Sequence, residues 1–387
     1  MHQSIYSRFL SNLGDRLHFA AHSHHAWPDV SREAHLQYWD DSARLMDEKW
    51  GHIFGSVIPK TQKIISQMLN LQDEKQIAFA PNTHELLMRL LSTFPTNRPT
   101  RILTTHNEFH SFRRQIQRME EASMVTVERV QADDLSSNRA SFLQSLKKKL
   151  NEGSFDLFFI SHVFFDSGLA LSNEELLELS QSTPKETVIC IDGYHSFGAL
   201  PVDLSKLEGR IFYLGGGYKY AQAGEGVCFI VVPKGEWRPI YTGWFAEMET
   251  LSSQKKHSVA YPSNGAAFSG STFDPSGLYR FNAVWEQFAE MNISTAIIHE
   301  QVTRLQELFL KNIKETILKN STLMNGVENR GHFLAFDLES PEQCSEMHLL
   351  LESKGILTDF RGQRLRFGFG LYHHENDVQK LIDRLKS

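Results

Sequence analysis

Apolar positions along the chain follow two rhythms. From Ser31 to Asn70 they fall at helical spacing, first Leu36, Trp39, Ala43 and Met46, then Ile64, Ile65, Met68 and Leu69. A gap from Gly51 to Pro59 between the two groups predicts two helices. Beyond them short β-branched or aromatic runs alternate with amphipathic stretches. The predicted strands are 77–80, 101–105, 124–130, 157–161 and 187–192, and the predicted helices are 85–94, 111–121, 141–150 and 173–180. That alternation is the signature of βαβ units and a mostly parallel sheet covered on both faces. The runs 211–214 and 226–232 follow with no helix between them, and so short a connection predicts one antiparallel strand.

Residues 275–318 are helical in pattern with an interruption at 291–294, which predicts a hinge. The remainder reads as strand 332–338, helix 342–354, strands 356–359 and 364–369, and helix 375–385. The expected architecture is α/β: an N-terminal segment 1–30 that contributes to the substrate pocket, a large domain 31–290 with a sheet sandwiched by helices, and a smaller α+β domain 291–387.

Composition narrows the function classes. The 387 residues carry 40 Lys+Arg against 46 Asp+Glu, a net charge of −6, too mild for a nucleic-acid or membrane-surface protein. With 41% hydrophobic residues the chain can bury a large core. No run of ~18 apolar residues is present, and the first 19 residues lack a continuous apolar stretch, so no membrane span or cleaved signal is expected. Three cysteines without CxxC spacing argue against a disulfide framework and a cysteine zinc cluster, and fit a reducing, cytoplasmic setting.

Ligands of open α/β sheets sit beyond the carboxyl ends of the strands. Four segments there carry chemistry. Pro81-Asn82-Thr83-His84-Glu85 is a polar turn entering a helix, either a simple cap or a cradle for a phosphate. Asp192-Gly193-Tyr194-His195 ends the very apolar strand that precedes it; its carboxylate is either a turn cap or the partner of a buried cation. Gly215-Gly216-Gly217-Tyr218-Lys219-Tyr220 places a lysine between tyrosines after a glycine run. Glycines permit close backbone approach to a bound group, and an enclosed lysine is the residue type that forms Schiff bases. An amine of that kind, an aspartate to hold a pyridinium nitrogen and a phosphate cradle are together what pyridoxal 5'-phosphate requires. The fourth segment lies near the C-terminus, at 358–372.

These segments resemble the class V group of fold-type I pyridoxal-phosphate enzymes, and within it kynureninase. The resemblance rests on Tyr218-Lys219-Tyr220 with Ala223-Gly224-Glu225-Gly226, on Gly243-Trp244-Phe245, and on Thr358-Asp359-Phe360-Arg361 followed by Leu365-Arg366-Phe367-Gly368-Phe369 and Leu371-Tyr372. It implies Lys219 as cofactor lysine and general base, Tyr218 as acid and phosphate contact, Asp192 on the pyridine nitrogen, and Arg366 on the substrate carboxylate. It also implies His195 near the cofactor oxygen or ring face, Thr83 and His84 at the phosphate, Phe109 as the stacking ring, and Trp244 at the phosphate. Phe109 is equally readable as an ordinary core residue. Thr272 matches a residue that reaches the neighbouring subunit's phosphate, which implies a homodimer.

The chain departs from kynureninase around the substrate. His22-Ser23-His24-His25 stands where that family has Asn-Ser-Leu-Gly, Phe273 replaces an asparagine, and Ala246-Glu247 replaces the histidine that follows GWF-G. His22 and His24 are therefore expected to line the substrate pocket, with Phe273 beside them. A zinc site is not expected, because no carboxylate or cysteine at supporting spacing completes the histidines. The implied activity is hydrolytic Cβ–Cγ cleavage of a kynurenine-type amino acid with release of alanine. Transamination, racemisation or β-elimination on another amino acid shares the same residues down to Arg366. Cysteine desulfuration fits less well, for want of a loop cysteine just before that arginine, and a non-catalytic descendant has no use for both Lys219 and Asp192.

Overall fold

The computed structural model describes residues 2–132, 134–248, 258–326 and 329–386. Its strands in chain order are β1 (Leu17–His18), β2 (Ile77–Ala80), β3 (Thr100–Thr105), β4 (Val125–Val130), β5 (Leu157–Ser161), β6 (Val188–Asp192), β7 (Ile211–Gly216), β8 (Cys228–Val231), β9 (Thr322–Leu323), β10 (Phe333–Asp337), β11 (Ile356–Leu357), β12 (Asp359–Arg361) and β13 (Arg364–Gly368). Seven of them form one sheet in the order β2-β8-β7-β6-β5-β3-β4. Only β8 runs against its neighbours, pairing antiparallel with both β2 and β7.

The sheet is apolar on both faces because helices cover both. Side chains alternate between two cores with the period of a strand: Phe158, Ile160, Ile189, Ile191 and Tyr213 enter one, and Leu157, Phe159, Cys190, Phe212 and Leu214 the other. The alternation fixes the register Ser161↔Asp192↔Leu214 and sets those residues at the carboxyl edge of three adjacent strands.

A four-stranded antiparallel sheet, β12-β13-β10-β9, forms the C-terminal layer. Leu334, Phe336, Leu365 and Phe367 pack there against Val302, Leu305 and Phe309 of the helix Thr295–Asn312, and against Val378, Leu381 and Leu385 of the helix Glu375–Lys386. The N-terminal strand β1 joins this layer by parallel pairing with β11, and Ala20 bridges to Gly368.

One expected break is displaced. Residues 49–69 are helical throughout, and the chain turns instead at Met46, with φ of 52°. Pro59 is accommodated because a π-helical turn over Ile53–Val57 precedes it, and wider winding relieves the clash of a proline ring with the carbonyl four residues earlier. The interruption near 291–294 is present, between the helices Ser276–Glu290 and Thr295–Asn312. Among the described residues no helix is long and apolar enough to cross a membrane.

Candidate active site

Lys219 lies three residues past the end of β7, on the far side of the glycine run. Those glycines are required by packing within the protein. A Cβ on Gly215 would sit 2.5 Å from the Phe229 ring, one on Gly216 2.4 Å from Tyr194, and one on Gly217 2.2 Å from Val227. The run thus draws β7, β8 and Tyr194 together just before the lysine.

The Lys219 amine meets His195 Nε2 and lies 5.4 Å from the Phe109 ring centroid and 5.5 Å from that of Tyr194. Burial, reinforced by the Arg366 charge and opposed by Asp192 and Asp359, brings its pKa down to about 7. His195 is 6% exposed, and its Nδ1 is buried without a hydrogen-bond partner. Burial, then the charges of Lys219 and Arg366, hold its imidazole neutral. Asp192, at the end of β6, accepts the Tyr194 N–H at 3.0 Å. Burial raises its pKa, against the pull of that bond and of Lys219.

Sequence reasoning passed over Glu108, the residue beside Phe109. It is 2% exposed and accepts hydrogen bonds from Thr105 Oγ1 at 2.7 Å and Ser161 Oγ at 2.5 Å. Burial pushes its pKa up to about 8, with Asp192 adding to the rise. The available signal was a charged residue at the C-terminal end of an apolar parallel strand.

Arg366 is buried at 3% exposure on β13. Its Nη2 donates to Asp359 Oδ1 at 2.6 Å and its Nη1 to the Phe165 carbonyl, while Nε has no partner. One edge of the fork is thus oriented by protein, and the other retains an unmet donor, the arrangement that receives a carboxylate. The guanidinium lies 5.7 Å from the Phe333 ring centroid. His22 stacks on the same ring at 4.7 Å and 24°, and both of its nitrogens are buried without partners. Burial, then Arg366, His195 and Lys219, lower its pKa, so it is neutral.

The histidine cluster and the glycines of β13 fit one another. A Cβ on Gly368 would strike His22 Nδ1 at 2.2 Å, and one on Gly370 would strike His25 Nε2 at 2.5 Å. The expected group separates: His22 and His25 are buried, whereas His24 is exposed, stacking on Trp27 at 5.8 Å and meeting Tyr218 edge-on at 5.6 Å. No metal-binding group of three or more ligand-type residues occurs among the described residues.

The remaining candidates lie further out. Thr83 begins the helix Thr83–Leu91, whose cap is Asn82, accepting from Glu85 N. His84, Thr272 and Phe273 line one cleft of about 630 Å³ with Ala80 and Pro81. Phe273 also packs toward Phe245, at 6.3 Å between rings, rather than toward Arg366. Trp244 is 47% exposed and meets Phe245 edge-on at 4.6 Å. The structure therefore gathers Lys219, His195, Asp192, Phe109, Arg366 and His22, and sets Trp244, Thr272 and Phe273 apart from them.

The family profile described as aminotransferase class-V matches residues 25–381. Isopenicillin N epimerase of Streptomyces clavuligerus is 28% identical over 178 residues, 45% of this chain and 44% of that protein, so the chain matches less than half of that relative's length. Among solved structures, a C-DES mutant with glycine covalently linked to its pyridoxal-phosphate cofactor superposes with a TM-score of 0.83 at 17% identity, covering 97% of this chain and 98% of that one. The cysteine desulfurase of Thermococcus onnurineus NA1 gives a TM-score of 0.79 at 17% identity, over 97% and 95% of the two chains. At these identities the likeness shows the fold, a mostly parallel α/β sheet of the fold-type I transferases.

The residues fit pyridoxal phosphate. An enclosed amine such as that of Lys219 can attach an aldehyde, a buried carboxylate such as that of Asp192 can face a pyridinium nitrogen, and the orphaned Nδ1 of His195 has a donor or acceptor to spare. Phe109, at 39% exposure, offers a ring face, and the helix start at Thr83 offers backbone N–H groups to a phosphate.

Proposed function

The chain belongs to the class V aminotransferase family with pyridoxal 5'-phosphate as its cofactor, and from that premise we propose that it removes the α-proton of an amino acid anchored on Arg366. When bound, the cofactor supplies an electron sink that acidifies the α-carbon hydrogen. The observation that carries the reading is the pairing of two buried groups that act on each other electrostatically, the amine of Lys219 and the guanidinium of Arg366 with its unmet Nε.

Arg366 Nε and the free hydrogens of its terminal nitrogens receive the α-carboxylate, while Asp359 and the Phe165 carbonyl hold the fork in plane. Lys219 Nζ, with a pKa of about 7, takes the proton at neutral pH and returns it. His195 Nε2 orients the amine. Asp192, Thr83, His84 and Phe109 hold the cofactor in this reading. Thr272, in the cleft that His84 also lines, reaches the phosphate held by the neighbouring subunit in this reading, which requires a homodimer.

The finer reading is kynureninase-type cleavage of a 3-acyl-alanine with release of alanine, supported by the Tyr-Lys-Tyr, Gly-Trp-Phe and Leu-Arg-Phe-Gly-Phe segments. A second reading, epimerisation or elimination on another amino acid, is favoured by His22 and by the partial similarity to an isopenicillin N epimerase. His22 is a neutral imidazole with two unmet nitrogens beside Lys219 and Arg366, and inversion at carbon needs a second group that carries a proton.

Exchange of the α-hydrogen in deuterated water, scanned over amino acids that include L-kynurenine, tests both levels. Exchange with alanine release from L-kynurenine supports the finer reading. Exchange without it moves the assignment to the second, and no exchange with any amino acid by the cofactor-loaded protein would sink the proposal.

A further inference from the structure

We propose that a cavity between the end of β5 and the helix Thr295–Asn312 is a second ligand site, one that takes a small oxyanion, the carboxylate of an organic acid or a phosphate. The cavity holds about 260 Å³ and is lined by Arg330, His162, His299 and Thr303, with Ser172 and Asn173 at the start of the helix Asn173–Ser182.

Arg330 is the anchor. It is 4% exposed, and its Nε donates to Gln306 Oε1 at 2.7 Å, but Nη1 and Nη2 are buried with no hydrogen-bond partner. A guanidinium stays charged at any working pH, so leaving its terminal nitrogens dry and unmet is a heavy penalty that a bound anion removes. The acidic groups in reach do not do so: exposed Glu174 lines the cavity and exposed Glu307 acts on Arg330 electrostatically, yet neither forms an ion pair with it among the described residues.

Further polar groups line or adjoin the cavity. His162 is 2% exposed with Nδ1 unpartnered. His299 Nδ1 pairs with His332 Nε2 at 3.0 Å, which leaves His332 Nδ1 unmet. The helix that starts at Asn173 borders the cavity, its first turn closed by the Ser172–Glu175 capping box and carrying Glu174 and Glu175. The anchor is the cationic fork of Arg330, whose plane matches carboxylate and phosphate oxygens alike, while Glu175, whose charge acts on His162, is paired with Arg139.

The cavity is tied to the catalytic residues without sharing them. His162 N donates to the Asp192 carbonyl at 2.8 Å. Arg330 bridges to Leu169, and three residues later Phe333 carries the rings of His22 and the guanidinium of Arg366. An occupant thus touches the segments that hold Asp192 and Phe333.

The test uses the cofactor-loaded protein, titrated with inorganic phosphate and separately with acetate at ionic strength held constant with chloride. The expected result is a saturable rise of a few degrees in Tm with one or both, with an unchanged cofactor absorbance. The rise is lost in Arg330→Met and kept in Arg366→Met, and the anion that titrates names the source. Loss of the rise in Arg366→Met instead would assign binding to the catalytic arginine and overturn the proposal, as would equal titration of Arg330→Met or no saturable response. Should Arg330→Met not fold, crystals soaked in selenate decide: an anomalous peak beside the guanidinium supports the site, and water alone there refutes it. None of these readouts needs a substrate, so failure here is distinct from failure of the proposed reaction.

Discussion

Asp359 and Arg366 stand directly opposite each other across the β12–β13 ladder, with Nη2 of the arginine 2.6 Å from Oδ1 of the aspartate. A strand register thus places a counter-charge beside the buried guanidinium and fixes its plane. Asp359→Asn keeps the shape but removes the charge that offsets desolvation. The expected result is a KM raised by roughly tenfold or more for the amino acid that undergoes α-hydrogen exchange, with smaller change in kcat and intact cofactor absorbance. An unchanged KM would show that Asp359 does not position the anchor.

Lys219 is expected to be joined covalently to the cofactor. After borohydride treatment and denaturation, the wild-type protein should retain the cofactor and Lys219→Ala should release it. Loss of the base should slow α-hydrogen exchange by roughly 10²–10⁴-fold. A variant that still retains reduced cofactor would place the attachment on another lysine.

The Lys219 amine should titrate far below an ordinary lysine. Protonated amines do not react with acylating reagents, so in cofactor-free protein the labelling rate of Lys219 should rise through a midpoint near pH 7 instead of the usual 10.5. Arg366→Met removes a repelling positive charge and should move the midpoint upward. Peptide mapping of the labelled lysine across pH reads both, and a midpoint above 9.5 in the wild type contradicts the assigned burial.

Glu108 should make stability fall as the pH rises. Its folded pKa, about 8, lies above the usual carboxylate value of 4.5, so the folded state holds the proton more tightly than the unfolded one. The stabilisation is full below the unfolded pKa and is lost as pH climbs through the folded one. Glu108→Gln, which cannot ionise, should therefore gain on the wild type between pH 5 and 8, by about 1 kcal/mol or more. Denaturant melts at the two pH values check this, and parallel curves would mean that Glu108 is ionised in the folded protein.

The three thiols should be silent in catalysis. Cys190 and Cys344 are fully buried and Cys228 is 4% exposed, and burial raises the pKa of each. A disulfide reagent should leave the native protein untouched and label it after denaturation, and Cys344→Ala should keep its activity. Rapid native labelling with loss of activity would instead bring back a cysteine-dependent reaction.

The sheet was legible because its strands are buried on both faces, and unbroken apolar runs such as Leu157–Ser161 stand out between helical stretches. The antiparallel β8 was legible from the short connection before it. Pro59 misled, since a proline inside a helical pattern normally marks an end, and a π-helical turn absorbs it here. Lys219, Asp192 and Arg366 could be picked out because each follows or lies in a strongly patterned strand. What escaped depends on neighbours distant in sequence. The burial of Glu108 is set by Ser161, 53 residues on, and the use of Gly368 is set by His22. The packing role of Gly215–Gly217 escaped for the same reason, because the atoms that demand glycine there belong to Tyr194, Phe229 and Val227.

The pairing of β1 with β11, together with the 2.7 Å bond from Gly368 N to the Phe19 carbonyl, ties residues 17–20 to the C-terminal layer from which they are far removed in sequence, whereas Tyr6 packs in the core of the large sheet and donates to Gln222. His22 and Arg366 therefore share one frame of reference, while Lys219, His195 and Asp192 share the frame of the large sheet. Residues far apart in sequence, His22 and Arg366, thus meet on one ring, that of Phe333.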